Sequence, residues 1–308
     1  MVKHGLTARL KRDLRINKEL YLILLVPLIW YVIFKYIPMY GTLMSFQNYN
    51  MRLGISGSEW VGLENYRRFF SDPYFSRDIW NTISLSLKGI VVGFPIPIIL
   101  ALLINELTNK TFTKFVQTAT YIPHFISMVV ICGMLKVFLA KDGVISSMVS
   151  LFPGVSIKES LLNNANLFAT IFIGSDIWQE AAWGSIIYVA AIAGIDQQLY
   201  EAAEIDGAGK FRQMLCVTLP CLAPTIIIML ILRVGAVFTT NNEKILLLIN
   251  SLNAEKAETL SYYIYKKGIT NADYSLSAAA GLFNSIINFV FVIATNFISK
   301  HVSETSLW

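Results

Sequence analysis

The sequence predicts an all-α integral membrane protein with about six transmembrane helices. Hydrophobic residues make up 55% of the 308 and charged residues only 15%, against about 25% charged in an ordinary soluble domain. Apolar runs of the roughly 20 residues needed to cross a 30 Å hydrocarbon core recur along the whole chain. The formal charge of +5 sits mostly beside those runs, not in a stripe interleaved with aromatics, so no nucleic-acid partner is expected.

The chain opens on a basic stretch, Lys3, Arg9, Lys11, Arg12, Arg15 and Lys18, before the first apolar run. That run, Tyr21 to Phe46, is too long for a signal-peptide core and reads as an uncleaved first span. Lys/Arg bias over the whole chain is nearly even between the two sides. The basic flank of the first helix therefore decides the orientation and places both termini in the cytoplasm. Further spans are read at Ile79 to Ile104, Phe115 to Leu139, Leu167 to Ile195, Leu219 to Thr239 and Leu276 to Ile298. Pro27, Pro38, Pro95 and Pro97 lie inside two of them, where neighbouring helices can satisfy the freed backbone groups.

Cys132, Cys216 and Cys221 lie in or beside apolar segments, so no disulfide framework is expected. His4, His124 and His301 are widely separated and lack metal-ligand spacing, so no metal site is expected. His124, beside Pro123, reads as a packed or hydrogen-bonded histidine. No glycine-rich phosphate loop followed by Lys and Ser/Thr occurs, so the chain has no P-loop for ATP. No catalytic nucleophile and base can be assembled either, and the chain is not expected to be an enzyme by itself.

Two stretches carry chemistry. The first lies between the fourth and fifth spans, on the cytoplasmic side, where an alanine-rich charged segment should form a short helix ended by Gly207. Composition alone would make it a solvated surface helix. Its spacing is more specific: Glu201, Ala202, Ala203, Gly207, Val217, Leu219 and Pro220 fall at every position of the EAA loop found in binding-protein-dependent ABC importer permeases. The resemblance runs from about Tyr21 to Trp308 and is carried also by Pro38–Gly41, Trp60–Tyr66, Tyr121–Ser127, Ser175–Trp178, Ala278–Phe283 and Ser306–Trp308. The chain is similar above all to the carbohydrate permeases related to lipoprotein-linked polysaccharide and alginate transporters.

That resemblance implies a type I importer permease fold. Its domains would be a basic cytoplasmic segment (1–19), the first span with its external loop (20–78), a core (79–300) holding the loop at 196–220, and a cytoplasmic tail (301–308). It also implies that Glu201, Ala202, Ala203, Asp206, Gly207, Leu219 and Pro220 form the coupling segment that docks on an ATP-binding subunit. One such loop serves half a pathway. The implied partners are thus a second, related permease subunit, two cytoplasmic ATP-binding subunits that use ATP and Mg, and an extracellular lipid-anchored solute-binding protein. The setting is membrane lipid of the bacterial cytoplasmic membrane, and the cargo is a carbohydrate substrate. The same machinery carrying an amino acid or polyamine is the nearer rival, and a non-transporting membrane receptor the remoter one.

The second stretch is the fourth span. Ionisable residues inside a span are costly and mark function by default. Lys35 and Lys136 are near enough to span ends to snorkel, and Lys88 is ambiguous. Asp176, Trp178, Gln179, Glu180 and Trp183 bring acids, an amide and two indoles within about two helical turns. Such groups hold sugars, by hydrogen bonds to hydroxyls and by indole stacking on the C–H face of a pyranose. The competing reading is an interfacial tryptophan belt with the acids starting an external loop. In maltose-type relatives, aromatics at the positions matching Trp178 and Trp183 line the solute cavity. Arg233, with Thr240 and Asn241 nearby, falls in the other region that lines it. Arg233 pairs with Asp176, pairs with Glu180, or meets an acidic sugar, and the sequence does not separate these. The external loop carries Trp60, Tyr66, Phe69, Phe70, Tyr74 and Phe75, for each of which local packing is the expected role.

Overall fold

A computed structural model describes residues 13–153 and 157–302. The basic cluster through Arg12, with His4, and the terminal Ser306–Trp308 lie outside the described residues, as does the side chain of His301. By internal packing the chain divides into two units, residues 1–70 with 267–282, and residues 71–266 with 283–308.

In the first unit the span Lys18–Phe46 has none of its apolar window buried. It ends in a small polar knot. Gln47–Asn48 pairs antiparallel with Glu59–Trp60, and Phe46 stacks on Trp60 at 5.5 Å. Asn65 donates to the carbonyls of Ser45 and Gln47, and Tyr66 donates to Ser45 Oγ. Arg68 pairs with Asp273 at 2.6 Å. Trp60 and Tyr66 are thus engaged in local packing, and Phe69 is buried.

The second unit is built on one long helix, Ala165–Ala193. At 1.5 Å per residue it reaches about 44 Å, enough to cross the membrane. Around it pack the span Phe75–Asn105, the pair Lys110–Phe125 and Met128–Phe138, and the span Lys210–Gly235, while part of the last span, Tyr274–Lys300, meets the turn after Lys210–Gly235 through Phe291 and Phe238. Among the described residues four helices are long and apolar enough to cross a membrane, or five if the bent pair counts as one. The 29-residue central helix is not among them although its length suffices; it carries Asp176, Gln179 and Glu180 at mid-length.

The third expected span, Phe115 to Leu139, is not one continuous helix. It is two helices bent by 94° at a short break. Pro123 opens a tight 3-10 turn, Ile126 is extended, and Ser127 starts a new helix by accepting from Val130 N–H. A capped restart, not the proline alone, makes the corner. The segment expected as a loop at 196–220 holds the short helix expected in it, Gln197–Ile205, but its second half is not a loop: the next helix starts at Lys210 and runs unbroken into the fifth span.

Three spans contain a wide π turn, and in each the carbonyl four residues before a proline falls inside it. Phe34 precedes Pro38 in Val32–Tyr36, Val91 precedes Pro95 in Gly89–Gly93, and Cys216 precedes Pro220 in Met214–Thr218. Proline removes one hydrogen bond and its ring pushes against that carbonyl, so widening the turn keeps the helix continuous. Pro27 and Pro224 are accommodated without one.

Two apolar clusters lie at opposite ends of the central helix. Phe168, Phe172 and Ile173 pack with Leu85, Cys132, Ile245 and Leu248 at one end. Tyr188 and Ile192 pack with Ala101 and Leu222 at the other. Ser175, Asp176, Gln179, Glu180 and Ser185 of the central helix occupy the stretch between them.

Candidate functional site: a polar cavity and an exposed short helix

A cavity of about 570 Å³ opens beside the mid-section of the central helix. Its walls come from the central helix, the span Phe75–Asn105, the end of Lys210–Gly235 and the run of turns that follows it. Gly184 faces Pro97 of the second span, and a Cβ there would stand in ordinary contact at 3.4 Å. Asp176, Glu180 and Trp183 line it from one side and Arg233, Thr240 and Asn241 from the other. Helical spacing explains the selection: positions 176, 180, 183 and 184 fall on one face.

Gln179 and Trp178 face elsewhere and are not in the lining. Gln179 is buried and donates to the Ile126 carbonyl at 3.3 Å, at the corner of the bent pair. Trp178 is two residues, or about 200°, round the helix from Asp176 and is half exposed.

Arg233 pairs with neither acid among the described residues. Asp176 is instead held by Lys244, whose ammonium lies 2.7 Å from Oδ1. Lys244 is fully buried, also donates to the Phe172 carbonyl at 2.9 Å, and sits 4.7 Å from the Phe172 ring centre. It stands on the short helix Asn242–Leu248, whose N-terminus is capped by Asn241. Glu180 is taken by His124, with Nδ1 2.9 Å from Oε2. The His124 ring stacks on Trp183 at 4.3 Å and 2°, and Phe125 meets the same indole edge-on. His124 is therefore a packed, hydrogen-bonded residue at the corner of the bent pair. Thr240 shares a hydrogen bond with Thr259 at 3.2 Å.

Sequence reasoning missed Lys244. It lies outside the apolar runs and looked like one more loop cation. The available signal was a lysine flanked by Ile245, Leu246, Leu247 and Leu248, an apolar setting in which a charge needs a partner.

The second site is the segment after the central helix. Asp196 caps Gln197–Ile205 by accepting from Gln198 N–H. The helix stops at Gly207, whose φ of +75° is the left-handed conformation that a helix-ending glycine supplies. There Ala208 N–H reaches back to the Ala203 carbonyl at 2.9 Å. Glu201, Ala202 and Asp206 are exposed and Ala203 is half-buried. Nothing lies within 4 Å of where a Gly207 Cβ would be. Tyr200 and the buried Thr218 share a hydrogen bond at 2.9 Å. That bond ties the short helix to the base of the span carrying Leu219 and Pro220. The polar helix and the Leu-Pro pair are thus one mechanical piece, with apolar Ile205 and Phe211 standing open at its surface.

A profile of the family described as binding-protein-dependent transport system inner membrane component matches residues 93–304. Over 293 residues, 95% of this chain and 91% of the relative, the sequence is 41% identical to the polygalacturonan/rhamnogalacturonan transport system permease protein YteP of Bacillus subtilis (strain 168). The fold superposes with TM-score 0.87 on a chain of a bacterial ABC transporter involved in the import of the acidic polysaccharide alginate. That match has 38% identity and covers 96% of this chain and 99% of that one. A crystal structure of the alginate transporter in complex with an alginate pentasaccharide-bound periplasmic protein matches equally, at TM-score 0.87 over 97% and 100%.

Proposed function

Since the chain belongs to the family of binding-protein-dependent transport system inner membrane components, we propose that it is the permease subunit of an ATP-driven importer that carries an oligosaccharide or other carbohydrate across the bacterial cytoplasmic membrane. The observation that carries this reading is the exposed segment Glu201–Gly207, locked through Tyr200 and Thr218 to a span that forms one wall of a polar, tryptophan-edged cavity. The cavity supplies what a saccharide needs: carboxylate and hydroxyl acceptors, a guanidinium donor, and an indole face. Likeness to the polygalacturonan/rhamnogalacturonan permease and to the alginate importer supports a carbohydrate over an amino acid or polyamine.

In this reading Glu201, Ala202, Ala203, Asp206, Gly207, Leu219 and Pro220 form the contact with a cytoplasmic ATP-binding subunit. Two such subunits hold ATP and Mg, and this chain supplies neither. A second, related permease completes the pathway, and a lipid-anchored solute-binding protein delivers cargo to the outer face, with both termini inside. Closure of the ATP-binding pair pushes the coupling segment, and the continuous helix Lys210–Gly235 carries that push to Arg233 at the cavity wall.

Gly207→Asp tests the coupling step. A side chain fits sterically, while the left-handed backbone and the added charge beside Glu204 and Asp206 disfavour docking. ATP-dependent glycan uptake by the reconstituted complex should fall at least tenfold with the spans intact. Unchanged uptake would remove the coupling role and favour a non-transporting protein.

A further inference from the structure

The corner of the bent pair, residues 122–127, rests on the central helix at Gln179, Glu180 and Trp183. His124 makes two of these contacts. Its Nδ1 lies 2.9 Å from Glu180 Oε2, and a carboxylate only accepts, so Nδ1 carries the proton there. The same imidazole lies flat on the Trp183 indole, with ring centres 4.3 Å apart and planes within 2°. An acid and an indole of the cavity lining are thus held by one residue that is not itself in the lining.

Phe125 completes the mount. Its ring stands at 80° to the imidazole with centres 5.4 Å apart, and at 81° to the indole with centres 5.5 Å apart. A ring equidistant from two stacked partners and perpendicular to both sits beside their edges, so the far face of the indole stays uncovered by it. That face is the one left for a solute, and Trp183 is 43% exposed. Glu180, after giving Oε2 to His124, keeps Oε1 for a solute hydroxyl.

The mount stands on a break in a helix. Ile126 is extended, Ser127 restarts the chain as an N-cap, and the two helices meet at 94°. Extended residues between two helices are the kind that absorb rotation in a hinge. The docking of this corner is also incompletely satisfied. Gln179 donates to the Ile126 carbonyl at 3.3 Å, but its Oε1 is buried with no hydrogen-bond partner, a cost carried only while the corner stays packed there.

We propose that His124 is a positioning residue for transport: it sets Trp183 and Glu180 in the geometry that holds the solute, and movement of the corner away from the central helix withdraws it and releases the solute. This rests on the carbohydrate-permease reading. A state in which both side chains lose their mount binds solute less well, and that difference in affinity is what links a change of state to release.

The experiment uses the whole complex, with its second permease and ATP-binding subunits. The probes are a panel of neutral and uronate oligosaccharides. Hydrolysis-deficient ATP-binding subunits loaded with ATP hold the spans in one state, and calorimetry without the binding protein reads the permease's own site. His124→Ala should weaken binding about tenfold, and His124→Phe, which keeps the stack and loses the hydrogen bond, about threefold. In the background Trp183→Leu/Glu180→Gln, His124→Ala should change nothing further, because the residues through which it acts are gone. With Cys132, Cys216 and Cys221 replaced by serine, Ile126→Cys and Gln179→Cys are joined by a short reducible thiol cross-linker. The joined complex should bind glycan yet take up at least tenfold less in proteoliposomes with the binding protein, and reduction should restore uptake. The proposal is overturned if His124→Ala costs as much in that background as alone, or if the cross-linked complex transports at the uncross-linked rate. If a wild-type complex that hydrolyses ATP neither binds nor takes up any glycan of the panel, the carbohydrate reading itself fails.

Discussion

The Lys244–Asp176 pair makes an asymmetric prediction, because its partners differ in burial. The Lys244 side chain is 0% exposed and that of Asp176 is 29% exposed, toward the cavity. In Asp176→Asn the ammonium keeps the Phe172 carbonyl and ring and at best a neutral amide oxygen, so a buried charge loses its counter-charge. Breaking a buried pair in this way costs about 3–5 kcal/mol. In Lys244→Met the orphaned carboxylate still reaches the cavity and can be hydrated, so the cost is that of one lost charged hydrogen bond, about 1.5–3 kcal/mol. Asp176→Asn/Lys244→Met removes both charges and should lie within about 1 kcal/mol of wild type. Unfolding in mixed detergent micelles, followed across the four proteins as a double-mutant cycle, reads the ordering directly. Equal losses in the two single variants, or a double variant that shows their sum, would refute the claim that the pair is a coupled buried unit.

Trp183→Ala should cut glycan uptake about tenfold, since the indole lines the cavity and stacks on His124, a loss in the range of one aromatic contact. Trp178→Ala should matter less, because that ring is not in the lining; side-by-side uptake assays decide it. Gly235→Val would place its Cβ 2.3 Å from Val292 Cγ2 and should destabilise by about 1–3 kcal/mol, with relief from Val292→Ala in the same detergent titration. Tyr200→Phe leaves the buried Thr218 hydroxyl without that partner at a cost of about 1 kcal/mol. Its signature should be less glycan moved per ATP hydrolysed while ATPase activity persists.

What was legible in the sequence was whatever depends on local pattern. The spans are contiguous apolar runs, and the short helix after the central one is ended, as its spacing implied, by a glycine whose left-handed φ of +75° is of the kind such a turn requires. What was not legible depends on contacts between distant residues. Lys244 meets Asp176 across 68 positions, and no local signal distinguishes it from a solvated loop lysine except its apolar flank. The 94° corner hid inside a continuous apolar run. Pro123 was visible there, but Pro27 lies inside a helix that continues, so proline alone does not announce a corner. Trp178 was assigned to the cavity by its position in a family pattern, whereas helical rotation gives the lining to Asp176, Glu180 and Trp183.

The π turn at Met214–Thr218 sits between the short helix and Arg233, within one continuous rod. It holds an extra residue, so everything beyond it is swivelled by about 100° and displaced by about 1.5 Å from where an uninterrupted α-helix would leave it. Deleting a single residue there would restore ordinary winding and swing the guanidinium away from the cavity, toward lipid or a neighbouring helix. The bulge is therefore a phase setting: it fixes which way the rod's far end looks relative to its near end.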